Sequence, residues 1–166
     1  MKLLITRIEQ LALAGMGPRV KAYVALMRYF RAKGMPKLAK FVSARLQIAH
    51  GVFISAQAEI APNVKFPHPT GIVIGDGVKI AANVTIYQNV TLGAARSGER
   101  CSRRYPEICS DVVVFAGATV VGAVTVGTGA VVGASAVVIK DVPAGATVVG
   151  SPAQVVSQKG ESYVGN

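Results

Sequence analysis

Residues 108–138 read ICSDVVVFAGATVVGAVTVGTGAVVGASAVV, and a single period runs through them. Ile108, Val114, Val120, Val126, Val132 and Val138 fall six apart, and four positions after most of them stands a small or aliphatic residue: Ala118, Val124, Ala130, Ala136 and Val142. A period of six fits neither the 3.6-residue turn of an α-helix nor the two-residue alternation of an ordinary strand. It fits a solenoid in which each hexad is one short flat strand plus a turn, so that three hexads close a triangular coil of roughly 18 residues. Val and Ile suit such strands because branched side chains pack well on a pleated, buried surface.

Toward the N-terminus the same phase continues through Ile54, Ile60, Phe66, Ile72, Val78, Val84 and Val90. The small companions are Ala58, Val64, Thr70 and Ala82, with Asp76 and Gln88 as departures. Between Val90 and Ile108 the in-phase positions are Arg96 and Ser102, which cannot fill an aliphatic core. The segment GAARSGERCSRRYPE, residues 93–107, is therefore expected to leave the coil as a loop, and an extruded loop on a rigid scaffold is where function is commonly carried.

Before residue 50 the pattern changes. Leu4, Ile8 and Leu11, then Val20, Val24, Met27 and Phe30, then Leu38, Phe41 and Val42 are spaced as on helices, with Gly17-Pro18 and Gly34-Met35-Pro36 as punctuation. The organisation expected is a helical region of three short helices over 1–50, a coiled β domain over 51–156 and a tail over 157–166.

At 166 residues the chain fits one domain, and 51% apolar residues suffice for a core. Its apolar runs are interrupted by Gly, Ala, Thr and Ser, which argues against a membrane span, and Arg7 and Glu9 break any signal-peptide core. Cytoplasmic residence is the simpler expectation. Cys101 and Cys109 form no C-x-x-C pair and read as ordinary thiols. The net charge of +10 is lopsided: residues 1–50 hold ten basic groups against Glu9, and the other 116 residues are nearly balanced, with eight basic and seven acidic. Such a region could be ordinary solvated helix faces, or could contact an anionic polymer or a membrane surface. No zinc finger, helix-turn-helix or aromatic-rich RNA-binding stretch points to nucleic acid.

The hexads, the segment HPTGIVIGDGVKIAANVTIYQNVTLG at 68–93 and the ending VVGSPAQVV at 148–156 resemble the hexapeptide-repeat acyltransferases, in particular serine acetyltransferases and their relatives in surface-polysaccharide synthesis. The resemblance covers roughly residues 28–156. It implies a mainly β fold, a left-handed parallel β-helix that breaks the usual right-handed crossover rule, with a short N-terminal helical region. It also implies a homotrimer with active sites between subunits, and acetyl-CoA as donor with no metal. His68 matches the family's catalytic general base. Imidazole suits the task because its ordinary pKa, about 6.5, leaves the neutral form available near pH 7, and such a base typically contributes about 10² to 10⁴ in rate. Gly93, Ala116 and Ala134 match positions that contact CoA, and Lys140 is a candidate partner for a CoA phosphate by charge and place. Arg104, Tyr105 and Gln88 are the acceptor-side candidates.

Three positions depart from the serine acetyltransferase pattern: Phe53 and Pro67 stand where the family has aspartates, and Arg104-Tyr105 replaces an Arg-His pair. The sequence therefore favours a sugar hydroxyl as acceptor, in capsule, exopolysaccharide or O-antigen synthesis, with L-serine as the alternative. The short helical region and the tail KGESYVGN, without a terminal isoleucine, count the same way. Other uses of such coils fit poorly. A zinc site of the carbonic anhydrase type needs three histidines, and the chain has two, with His50 read as a structural residue at the helix-to-coil junction. The outward threonines are too irregular for an ice-binding array, and a non-catalytic scaffold is the remaining alternative.

Overall fold

The computed structural model describes residues 15–95 and 105–157, so the helix expected over Leu4–Leu11 and much of the loop lie outside the described residues. Two helices come first, α1 (Met16–Ala32) and α2 (Pro36–His50). Proline opens α2, where its missing N–H costs nothing, and Gly51 ends it in the left-handed conformation at φ 63°. The helices bury Val20, Val24 and Met27 from α1 and Ala39, Val42 and Leu46 from α2. The Ser43 hydroxyl donates to the Ile54 carbonyl at 2.6 Å, and the Arg31 guanidinium donates to the carbonyls of Gln57 and Ala58 at 3.1 and 3.0 Å. These bonds seat the helical pair on the first coil.

Beyond His50 the chain visits three ladders in strict rotation. Sheet I contains β1 (Phe53–Ile54), β3 (Val73–Ile74), β6 (Thr91–Gly93), β9 (Thr119–Val121) and β12 (Val137–Val138). Sheet II contains β2 (Glu59–Ile60), β4 (Lys79–Ile80), β7 (Glu107–Ile108) and β10 (Thr125–Val126). Sheet III contains β5 (Thr85–Ile86), β8 (Val113–Val114), β11 (Val131–Val132), β13 (Thr147–Val149) and β14 (Gln154–Ser157). Every pairing between these strands is parallel except β13 with β14. The strands are short because each serves one side of a three-sided coil, and the residues facing inward form one continuous aliphatic core.

The registers correct the phase read from the sequence. All thirteen hexad residues are buried, as their period requires. However, Ile54 pairs with Ile74, not Ile72, and Ile60 pairs with Ile80, not Val78. Lys65 likewise bridges to Thr85, so the first coil repeats after 20 residues, whereas Val73 pairs with Thr91 after 18. Two extra residues therefore sit between Lys65 and Val73. Ile72, Val78, Val84 and Val90 point inward just ahead of each strand's own inward residue, and Asp76 and Gln88 are not departures from the pattern; they begin the corners. Thr91 pairs with Thr119 after 28 residues, so the extruded segment adds ten residues to that coil.

Candidate active site

His68 lies in the two-residue enlargement. Between the flanking registers, Pro67–Thr70 stands opposite Tyr87 and Gln88 alone, so four residues face two and the chain must bulge outward. The bulge is tied at its neck: the Thr70 N–H donates to the His68 carbonyl at 2.8 Å, the Asn89 N–H donates to the Thr70 carbonyl at 2.8 Å, and Pro69 is buried. A hydrogen bond spanning only two residues, around a proline with fixed φ, leaves the His68 backbone little freedom. The side chain of His68 is exposed.

Its surroundings are aromatic. The His68 ring lies 6.5 Å from the Tyr87 ring, tilted by 39°, and Tyr87 stacks on Phe115 at 5.3 Å and 9°. The three rings climb the edge between sheets III and I. Next to Tyr87 is Gln88, whose side-chain oxygen Oε1 is buried without a hydrogen-bond partner, the one such side-chain atom among the described residues. A buried acceptor without a donor costs about 1–3 kcal/mol, so this oxygen is a destabilising feature among the described residues.

Above Gln88 the register places Ala116, then Ala134. The Gln88 carbonyl accepts from the Gly117 N–H and the Ala116 carbonyl from the Ser135 N–H, both at 2.9 Å. The corner is turned at each level by a left-handed residue, Gly71, Asn89, Gly117 or Ser135. His68, Gln88, Ala116 and Ala134 therefore share one edge, and the two small side chains leave a strip of accessible backbone above the imidazole.

The remaining candidates lie on the next edge, between sheets I and II. Gly93 ends β6, with no atom of the described residues within 4 Å of where a Cβ would project, and Lys140 is exposed just beyond β12. Tyr105, the described residue at which the extruded segment returns, lays its ring against Gly75 and Gly77; a Cβ on Gly77 would collide with that ring. This explains the glycines of GDG, which the sequence reading did not account for. Within one chain Tyr105, Gly93 and Lys140 are separated from His68 by the width of sheet I. Arg104 and Cys101 lie outside the described residues, and Cys109 is a half-buried free thiol. Phe53, in β1, is partly buried in sheet I, and His50 meets Tyr23 edge-on at 5.6 Å where α2 ends.

Two clefts among the described residues, about 1060 and 630 Å³, flank the helices and are lined by neither His68 nor Gln88. The second of them contains Asp76, which accepts from the Ser55 hydroxyl at 2.5 Å. Among the described residues no group of three or more His, Cys, Asp or Glu side chains is placed to hold a metal ion.

No protein-family model matches the chain. A serine acetyltransferase of Bacillus pumilus is 43% identical over 124 residues, which is 75% of this chain and 56% of that protein. A serine acetyltransferase of Helicobacter pylori is 39% identical over 130 residues, 78% of this chain and 71% of the relative. The chain belongs to the serine acetyltransferase family. A solved serine acetyltransferase in complex with CoA superposes with a TM-score of 0.78 at 32% identity, over 89% of this chain and 60% of that one. The serine acetyltransferase relatives are longer: the chain spans 56% of the Bacillus pumilus protein and 58% of one from Bacillus licheniformis.

Proposed function

We propose that this chain is an acetyl-CoA-dependent O-acetyltransferase whose acceptor is the hydroxyl of L-serine. The saccharide acceptor expected from the sequence gives way here, because the relatives that share about two fifths of their residues with the chain are named for serine. The observation that carries the reading is the placement of His68: an exposed imidazole on a tied bulge, beside an unpaired amide oxygen and below a strip of small side chains. In this reading an imidazole nitrogen takes the proton of the serine hydroxyl as its oxygen attacks the thioester carbonyl carbon. The tetrahedral adduct then collapses, the carbon–sulfur bond breaks, and the departing thiolate recovers the proton from the imidazolium. The products are O-acetylserine and CoA, with no covalent enzyme intermediate.

The donor's pantetheine arm runs along Ala116 and Ala134 in this reading, with its thioester at His68. Gly93, Lys140 and Tyr105 belong to a neighbouring edge, so they contribute to the same site through a second copy of the chain. A homotrimer, with each site between two copies and each coil domain wound left-handed, accounts for this division. A free-thiol assay tests the reading: the chain is incubated with acetyl-CoA and L-serine, galactose, mannose, sialic acid or short oligosaccharides, beside His68→Ala. Thiol release with serine that disappears in His68→Ala is expected. Release with a sugar and none with serine overturns the acceptor, and release unaffected by His68→Ala overturns the base.

A further inference from the structure

The reaction leaves unused the most lopsided part of the molecule. Residues 15–50 contain eight Lys and Arg and no Asp or Glu. The inward faces of α1 and α2 are spent on the core, yet their outward faces are not simply polar. Ile48 is 76% exposed and Phe41 63% exposed, with Tyr29 and Leu26 on α1 at 56% and 43%. On α2, Lys37, Phe41, Arg45 and Ile48 follow one another at intervals of four, four and three, which places them on one stripe opposite Val42 and Leu46. Phe and Ile left in water on a helix whose other face already seals the core indicate a surface built for contact.

The chemistry on that stripe narrows the partner. Cations alone would suit any polyanion, but an extended polyanion makes no use of Phe41 and Ile48. A second copy docking through the same stripe would bring Lys37 and Arg45 of one copy against those of the other, with no carboxylate among residues 15–50 to neutralise them. Large apolar side chains interleaved with Lys and Arg match the bilayer interface, where rings and branched chains enter the acyl boundary and cations remain among anionic headgroups. Spanning is excluded for these helices, since none of the described helices is long and apolar enough to cross a membrane.

We propose that the α1–α2 end of the molecule docks on an anionic lipid surface, inserting Phe41 and Ile48 and holding headgroup phosphates with Lys37 and Arg45. The coil domain then projects from the bilayer, and its His68 edge stays in water. This inference is independent of the acceptor assigned above.

The test is co-sedimentation of the full chain with vesicles of phosphatidylglycerol and phosphatidylcholine, against vesicles of phosphatidylcholine alone. Binding to the anionic vesicles that weakens as salt is raised is expected. The double variants Phe41→Asp with Ile48→Asp, and Lys37→Glu with Arg45→Glu, are each expected to lower the partition coefficient by at least about tenfold. Circular dichroism and thiol release in solution should be unchanged, because none of the four residues touches the core or the His68 edge. Absent binding, equal binding to both vesicle types, or binding indifferent to both variants overturns the proposal. So does light scattering that shows Phe41→Asp with Ile48→Asp splitting the assembly into smaller species, since the face then joins copies of the chain.

Discussion

Gln88→Met should make the protein more stable and less active at once. Met has nearly the volume of Gln and keeps the half-buried position filled, but it removes the carboxamide oxygen that lies buried without a partner. The unpaired acceptor costs about 1–3 kcal/mol in the ligand-free state, and Met should recover about 1 kcal/mol of that. For a chain of this size the gain corresponds to a rise in Tm of about 2–4 °C, read by differential scanning fluorimetry at fixed protein concentration, because assembly shifts Tm by mass action. In the proposed reactive complex the same oxygen would receive a donor from the bound substrate. A hydrogen bond involving a charged group contributes about 1.5–3 kcal/mol, so kcat/KM for serine should fall by about 10- to 150-fold. Kinetics of thiol release on wild type and variant read this. A lower Tm together with unchanged kinetics would refute the reasoning, because Oε1 would then have a partner within the folded chain and none in the substrate.

His68→Ala should lower kcat by about 10² to 10⁴ while shifting Tm by less than a degree or two, since the exposed ring contributes little to packing; thiol release and calorimetry measure the two. Gly77→Ala should destabilise the chain by about 1–3 kcal/mol in urea unfolding, because the added methyl meets the Tyr105 ring, and the double variant with Tyr105→Ala should lose most of that penalty. Leu92→Ala, at a fully buried position in β6, should cost about 2–5 kcal/mol by the same method.

Much of the coil domain was legible in the sequence because burial in a three-sided coil leaves a six-residue trace, and all thirteen residues on that trace face the core. Their column was not legible. Each strand carries two inward residues two apart, such as Ile72 and Ile74 or Val84 and Ile86, and both are aliphatic. Two extra residues at 67–70 exchange one for the other without leaving any polar residue in phase. That same slip made Gln88 look like a flaw in the repeat rather than a corner residue beside Tyr87. His68 stood out because a lone histidine between prolines is chemically conspicuous, whereas its ring contacts with Tyr87 and through it Phe115 join residues 19 and 28 positions apart in sequence. The seat of Tyr105 on Gly75 and Gly77 was equally hidden, since the glycines are explained by a ring that returns only after the extruded segment. The serine acetyltransferase likeness was visible, but three substituted positions pulled the reading toward a sugar.

The reversal at β14 has a consequence of its own. A stack of parallel coils ends in a row of free backbone donors and acceptors, an open template on which another molecule's coil could lay itself and begin a fibre. Here β14 lies antiparallel on β13, with a register shift between Thr147 and Val148, so an incoming parallel coil would find strand direction and spacing both wrong. The two helices cover the opposite rim. Growth by addition of molecules end to end is thereby opposed along sheet III at one rim and beneath the two helices at the other.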